Sequence, residues 1–298
     1  MAKKKPTPPA RLKVAKTYKL YIGGKFPRSE SGRSFPFSNP KGELVAHVSH
    51  ASRKDFRDAV VVARKAQHGW ASRTAFNRGQ ILYRMAEMLE SRAATFERAL
   101  TEHAGYSAAE AAAEVEASVD RLVWYAGWSD KFTQLFGSTN PVASPHFNVT
   151  SPEATGVVAV FTPKNAPLLG LISAVIPVIT GGNTVVAVVD SVAPTIAIEF
   201  AEVLATSDLP GGVINLLTCP HAEVLGHAGG HKDVDGISFV GDDADARRDL
   251  ALEAAESVKR VKFYDDVSAK AWRKDDQQSP YRILPFVEFK TAWHPMGI

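Results

Sequence analysis

The side chains of this 298-residue chain that could do chemistry are few and dispersed. Its single cysteine, Cys219, lies in the turn-like run Thr218-Cys219-Pro220-His221. A lone cysteine is ordinarily small hydrophobic packing, and that is how Cys219 reads. One cysteine also excludes a disulfide framework and any multi-Cys zinc or iron–sulfur site, as in a cytoplasmic protein. His221, His227 and His231 follow at a spacing that fits no zinc signature. They read as a helix surface, and no metal is predicted. The stretch GHAGGH and the pair Gly211-Gly212 punctuate loops, since no GxGxxG follows a strand.

The elements that must position any site are clearer. From 155 to 265, short β-branched runs (GVVAVF, NTVVAVV, VINLL, VDGISFV, RVKFY) alternate with helical segments. That alternation predicts βαβ crossovers and a doubly wound parallel sheet covered on both faces, a Rossmann-like α/β fold. Ligands bind such sheets at the carboxyl ends of the strands, here just after Phe161, Val189, Leu217, Val240 and Tyr264.

Residues 52–136 are helical. Ser52 and Asp55 form a capping-box-like start, followed by Phe56, Ala59, Val60 and Ala63 at helical spacing. A second helix carries Ile81, Leu82, Met85, Met88, Leu89 and Phe96 on one face, and an Ala-rich third follows. Residues 18–50 read as edge strands, with turns at Gly23-Gly24 and Asn39-Pro40-Lys41-Gly42. After a polar stretch, FVEFKTAW alternates as a half-buried strand that needs a partner.

Composition excludes several classes. At 45% hydrophobic and 22% charged the chain is ordinary for a globular protein. No apolar run approaches the ~18 residues of a membrane span. Of the net charge of +3, residues 1–16 supply six basic groups and no acid, leaving the rest at −3. Residues 1–17 read as a flexible basic tail without the apolar stretch of a secretory signal. No recognition fold or basic–aromatic pattern for nucleic acid follows it.

Motifs along nearly the whole chain resemble the aldehyde dehydrogenase superfamily. YIGGKF, NPKGE, KAQHGWASRTAFNRGQILYRMAEMLESR, FTPKNAP, GGNTVVAV, LPGGVINLL, DVDGISFVG and FVEFKTAW stand in that family's order. The resemblance implies a dinucleotide-fold domain over 18–265, with oligomerisation arm strands near 143–155. It makes 266–298 a linker and carboxy-terminal oligomerisation strand. The family's second domain, which bears the nucleophilic cysteine, would fall between RVKFY and that strand. Only about twenty residues lie there, far short of the roughly 50 of a small domain.

Carried over residue by residue, the resemblance predicts a degenerate cofactor site. Thr162, Pro163, Lys164 and Asn165 stand at the family's oxyanion tetrapeptide, with Lys164 where a Trp is usual. Asn165 is retained; its amide could donate to an oxyanion, or it simply satisfies turn backbone. The ribose-holding Lys and acid or hydroxyl positions are Val188 and Ser191. The Gly-Ser-Thr that opens the pyrophosphate helix is Gly241-Asp242-Asp243, with Asp245 following. Carboxylates there supply the negative charge a helix N-terminus otherwise draws from a ligand. Tyr264 occupies the general-base position, where a phenol with pKa about 10 is a poor base.

No catalytic residue and no cofactor, or only weak NAD(P), is therefore expected. The resemblance implies a non-catalytic structural or regulatory subunit of a homo- or hetero-oligomer, its partner a full-length aldehyde dehydrogenase. Exposed apolar surface is expected at the cleft mouth, and the last strand is expected to pair with another subunit. The alternative is an NAD(P)-dependent oxidoreductase acting on aldehydes, weak or completed in trans. A third reading places a small ligand in the cleft between Asn165 and Gly241.

Overall fold

The computed structural model describes residues 14–190 and 192–297. Ser191 and most of the basic tail lie outside the described residues. The chain opens with β1 (Lys16–Tyr18), β2 (Ser34–Ser38) and β3 (Leu44–Ser49), a small sheet in the order β1-β3-β2. Between β1 and β2, Gly23 and Gly24 adopt φ of 63° and 77°, and Ile22 and Lys25 exchange main-chain hydrogen bonds across them. A two-residue turn of this hand requires positive φ at both positions, which glycine supplies without steric cost.

Four long helices follow: α1 (Arg53–Ala71), α2 (Ala75–Glu90), α3 (Ala93–Ala104) and α4 (Ala108–Trp128). Ser52 and Asp55 form a full capping box at the start of α1, and Ser107 and Glu110 another at α4. Phe96 does not continue the second helix as expected. The chain breaks after Glu90, and Phe96 is buried from α3. After α5 (Phe132–Phe136) come β4 (Ser138–Asn140) and β5 (His146–Ala154).

The main sheet is built from β6 (Val157–Phe161), β7 (Thr184–Val189), β8 (Ile214–Thr218), β9 (Gly236–Val240) and β10 (Arg260–Tyr264). All its pairings are parallel, in the order β10-β9-β6-β7-β8. Every residue of β6 through β9 is buried, as continuous apolar strands covered on both faces must be. The crossovers are α6 (Leu169–Thr180), α7 (Pro194–Ala205), α8 (Leu225–Gly230) and α9 (Ala244–Ala255). The strand order reverses between β6 and β9, and that switch point sets where a ligand crevice opens.

Segment 265–286, which includes α10 (Ala269–Trp272), is packed down: Trp272, Ile283 and Phe286 are fully buried. Arg121 of α4 holds it, donating to the Trp272 carbonyl (3.1 Å), the Gln277 carbonyl (3.0 Å) and Ser173 Oγ (2.6 Å). The segment thus packs on the α4 and α6 side and gives the strand-end crevice only Asp266. Large exposed apolar side chains occur on the arm (Phe147, Phe289, Trp293), on α2 and α4 (Phe76, Tyr83, Val123) and at scattered positions such as Val61, Val192, Leu252, Val258 and Tyr281.

The final strand, β11 (Val287–Pro295), finds one partner within the chain. It runs antiparallel to β5 along nine residues, from Val287 opposite Ala154 to Pro295 opposite His146. The arm is thus a three-stranded sheet, β11-β5-β4, with β11 at an edge.

Candidate functional site

A crevice of about 960 Å³ opens at the carboxyl ends of β6, β7, β8 and β9, walled on one side by α8 and α9. The loop after β6 forms part of its rim. Thr162 is buried, with Oγ1 donating to the Val188 carbonyl (3.3 Å), and Pro163 packs against Gly170 in the first turn of α6. Lys164 and Asn165 are exposed on the crevice. At Asn165 the backbone N–H is engaged, donating to Asp266 Oδ2 (3.2 Å), and the N–H of Lys164 donates to the same oxygen (2.8 Å).

The far end of this loop is satisfied by a second carboxylate. Glu114, 1% exposed on α4, accepts from the N–H groups of Leu168 (3.0 Å) and Leu169 (3.3 Å) through Oε1. The first N–H groups of a helix have no partner within it, and here a residue more than 50 positions away supplies one. Burial raises the Glu114 carboxyl above its ordinary range, opposed by these N–H donors.

Of the positions read as cofactor-binding, Val188 is fully buried on β7 and offers the crevice no charge. Gly241 donates its N–H to the Tyr264 carbonyl (3.0 Å) and accepts from Arg247 Nε (2.8 Å), which ties β9 to β10. Asp242 Oδ1 accepts from the Asp266 N–H (3.3 Å). Asp243 is the N-cap of α9, taking the Ala246 N–H (3.0 Å), and Asp245 pairs with Arg248 (2.7 Å). The first turn of α9 therefore already holds an anion of the chain's own.

Tyr264 does not face the crevice. It packs with Ser173, Ala174, Pro177 and Phe286 on the α6 side of the sheet, its ring 4.6 Å from the Arg282 guanidinium. Burial raises its phenol further, holding it protonated at neutral pH.

His221 corrects the surface reading. It follows β8, with Nε2 donating to the Val188 carbonyl (3.1 Å) and its ring against Phe161 (5.3 Å) and Phe239 (6.1 Å). Burial lowers its pKa and keeps the imidazole neutral. His227 and His231 pack on each other (5.3 Å) and on Phe56, away from it. Among the described residues no three His, Cys, Asp or Glu side chains stand where they could hold a metal ion. Cys219 is buried, and desolvation pushes its thiol up to about 12, where it is not a nucleophile.

The crevice is thus strongly acidic. Asp190, Asp242, Asp243, Asp245, Asp249, Glu253 and Asp266 line it, against Lys164 alone among the described lysines and arginines. Asp266, Glu114 and the inward His221 escaped sequence reasoning. Nothing local marks them, because their partners lie far away along the chain.

Comparison with known proteins places these features. The sequence model of the aldehyde dehydrogenase family matches residues 26–264. A putative aldehyde dehydrogenase, DhaS, of Bacillus subtilis is 33% identical over 281 residues, covering 93% of this chain and 54% of its own length. The alpha-ketoglutarate semialdehyde dehydrogenase of Haloferax volcanii is 32% identical over 246 residues, covering 82% and 50%. Among solved structures, an NAD+ complex of an aldehyde dehydrogenase from Bacillus cereus superposes with a TM-score of 0.79 at 26% identity, covering 84% of this chain and 51% of that one. Betaine aldehyde dehydrogenase of Staphylococcus aureus, also with NAD+, gives 0.77 at 26% identity, covering 82% and 50%. The chain spans about half the length of these relatives. No described helix is long and apolar enough to cross a membrane.

Proposed function

The chain belongs to the aldehyde dehydrogenase family, and we propose that it serves there as a non-catalytic subunit that assembles with a full-length aldehyde dehydrogenase. The carrying observation is the contrast within one chain between a complete arm sheet and an altered crevice. β5 and β11 pair along their full length, and Phe289 and Trp293 stand half exposed on one face. The crevice has Val188 and Asp243 where the family resemblance calls for a lysine and a hydroxyl, and Tyr264 turns away from it.

On this reading residues 18–265 are the dinucleotide-fold domain and the nucleophile comes from no residue of this chain. The fold of the NAD+-bound neighbours remains, and the chain's own carboxylates weaken cofactor binding. Soluble, cytoplasmic residence follows from the same reading. The test is affinity capture of the tagged chain from its native host, followed by native mass spectrometry. A fixed-stoichiometry complex with a full-length aldehyde dehydrogenase is expected; a lone monomer would sink the reading.

A second reading is an NAD(P)-dependent oxidoreductase completed in trans. Asn165, retained and exposed on the crevice rim, favours it. Calorimetric titration with NAD separates the two: no heat at millimolar cofactor removes the chain as an enzyme in its own right.

A further inference from the structure

We propose that Asp266 is a built-in anionic ligand: it holds the anion site of the loop after β6 and bars phosphate- and carboxylate-bearing molecules from the crevice. The proposal deepens the non-catalytic reading and rests on it. Two successive main-chain N–H groups, of Lys164 and Asn165, converge on Asp266 Oδ2 at 2.8 and 3.2 Å. Ala166, the next residue, is fully buried with φ of 51°, a conformation that costs energy for any residue but glycine. Successive N–H groups beside a left-handed residue make a concavity that binds anions.

The concavity is rigid. A Cβ on Gly170 would meet Pro163 Cγ at 2.6 Å and the Asn165 carbonyl oxygen at 2.8 Å, so the loop lies hard against α6. The carboxylate is delivered from the far side of the switch point by segment 265–286. Trp272 Nε1 donates to Asp266 Oδ1 (3.4 Å), and Arg121 fixes the Trp272 carbonyl (3.1 Å). Asp266 therefore sits at the loop as an intramolecular ligand, against which a free anion competes at a disadvantage set by effective concentration. At the neighbouring anion position Asp243 caps α9 in the same manner.

The test is an amide-resolved NMR titration with inorganic pyrophosphate, and separately with NAD, at constant ionic strength. Wild type, Asp266→Ala, Asp266→Asn and Asp249→Asn are compared. In Asp266→Ala the Lys164 and Asn165 amide resonances are expected to move saturably with pyrophosphate, at a dissociation constant at least tenfold below that of the wild type. Asp266→Asn keeps an acceptor and loses the charge, and is expected in between. Asp249→Asn, whose partner is Arg248 rather than the loop, should match the wild type. Should Asp266→Ala fail to fold, Asp266→Asn decides alone: a gain supports the assignment and no gain overturns it. Equal affinity in wild type and variants overturns it, as does an equal gain in Asp249→Asn, which would reflect the general field. The assembled mass of the same samples is read separately, so loss of the subunit reading leaves this result distinct.

Discussion

At the strand-end crevice the chain satisfies its own polar groups, whereas along the arm sheet it leaves groups turned outward. The loop after β6 hands its N–H groups to Asp266 and Glu114, and α9 hands one to Asp243. On the arm, β11 has no described strand on its outer side, and Phe147, Phe289, Trp293 and Met296 are each about half exposed. An open edge with aromatic side chains is a liability unless another chain covers it. The difference teaches where binding energy is available: the main-chain groups around the crevice have internal partners, and the outer edge of the arm has none among the described residues.

Breaking the arm should have the largest effect. Phe289→Ser with Trp293→Ser is expected to weaken assembly at least a hundredfold, since aromatic anchors dominate interfaces. Unfolding free energy should change by less than about 1 kcal/mol, because both side chains are half exposed in the monomer. Sedimentation velocity and urea unfolding read the two quantities.

The next largest effect is at the buried end of the loop. Glu114→Ala leaves two buried N–H groups without partners and should cost about 3 kcal/mol, against about 1 for Glu114→Gln, which keeps an acceptor. The folded-state pKa of Glu114 is raised, so the folded state binds the proton more tightly than the unfolded chain. This group's contribution is full below the unfolded carboxyl range and is lost as pH rises through the raised value. Glu114→Gln should abolish that part of the pH dependence of urea unfolding.

Arg121→Met removes the donor that fixes segment 265–286 and should cost about 2 kcal/mol while exposing that segment to limited proteolysis. Cleavage confined to the segment would separate it from the crevice wall as a unit of its own.

The smallest effect is a pH response of the crevice floor. His221 has a lowered folded pKa, so the folded state binds fewer protons than the unfolded chain. Its contribution is present above the unfolded pKa of about 6.5 and is lost as pH falls from there through the lowered folded value. His227 and His231, lowered in the same direction, add to the acid response. His221→Phe should remove about 1 kcal/mol of the loss between pH 7.5 and 5.5, measured by urea unfolding at each pH.

Local signals made much of the fold legible. Gly23-Gly24 demanded a tight turn, Ser52 and Asp55 a helix start, and the β-branched runs a covered parallel sheet. The break between α2 and α3 left no such mark. Ser91 and Arg92 are neither Gly nor Pro, and Leu89 and Phe96 keep helical phase across it. The crevice was least legible because its contacts are distant in sequence: Asp266 reaches Lys164 across 102 positions and Glu114 reaches Leu168 across 54. Glu114 and Arg121 on an Ala-rich helix have the local sequence of a solvated face, and only packing shows them buried. His221 is hidden for the same reason, since its aromatic neighbours come from β6 and β9.

The most direct test of the subunit proposal is native mass spectrometry of the chain mixed with the full-length aldehyde dehydrogenase of its own host, with and without the Phe289→Ser/Trp293→Ser change. A mixed oligomer of fixed stoichiometry with the unaltered chain, absent with the variant, is the predicted result. Separate species in both mixtures, or a mixed oligomer indifferent to the arm, would contradict it.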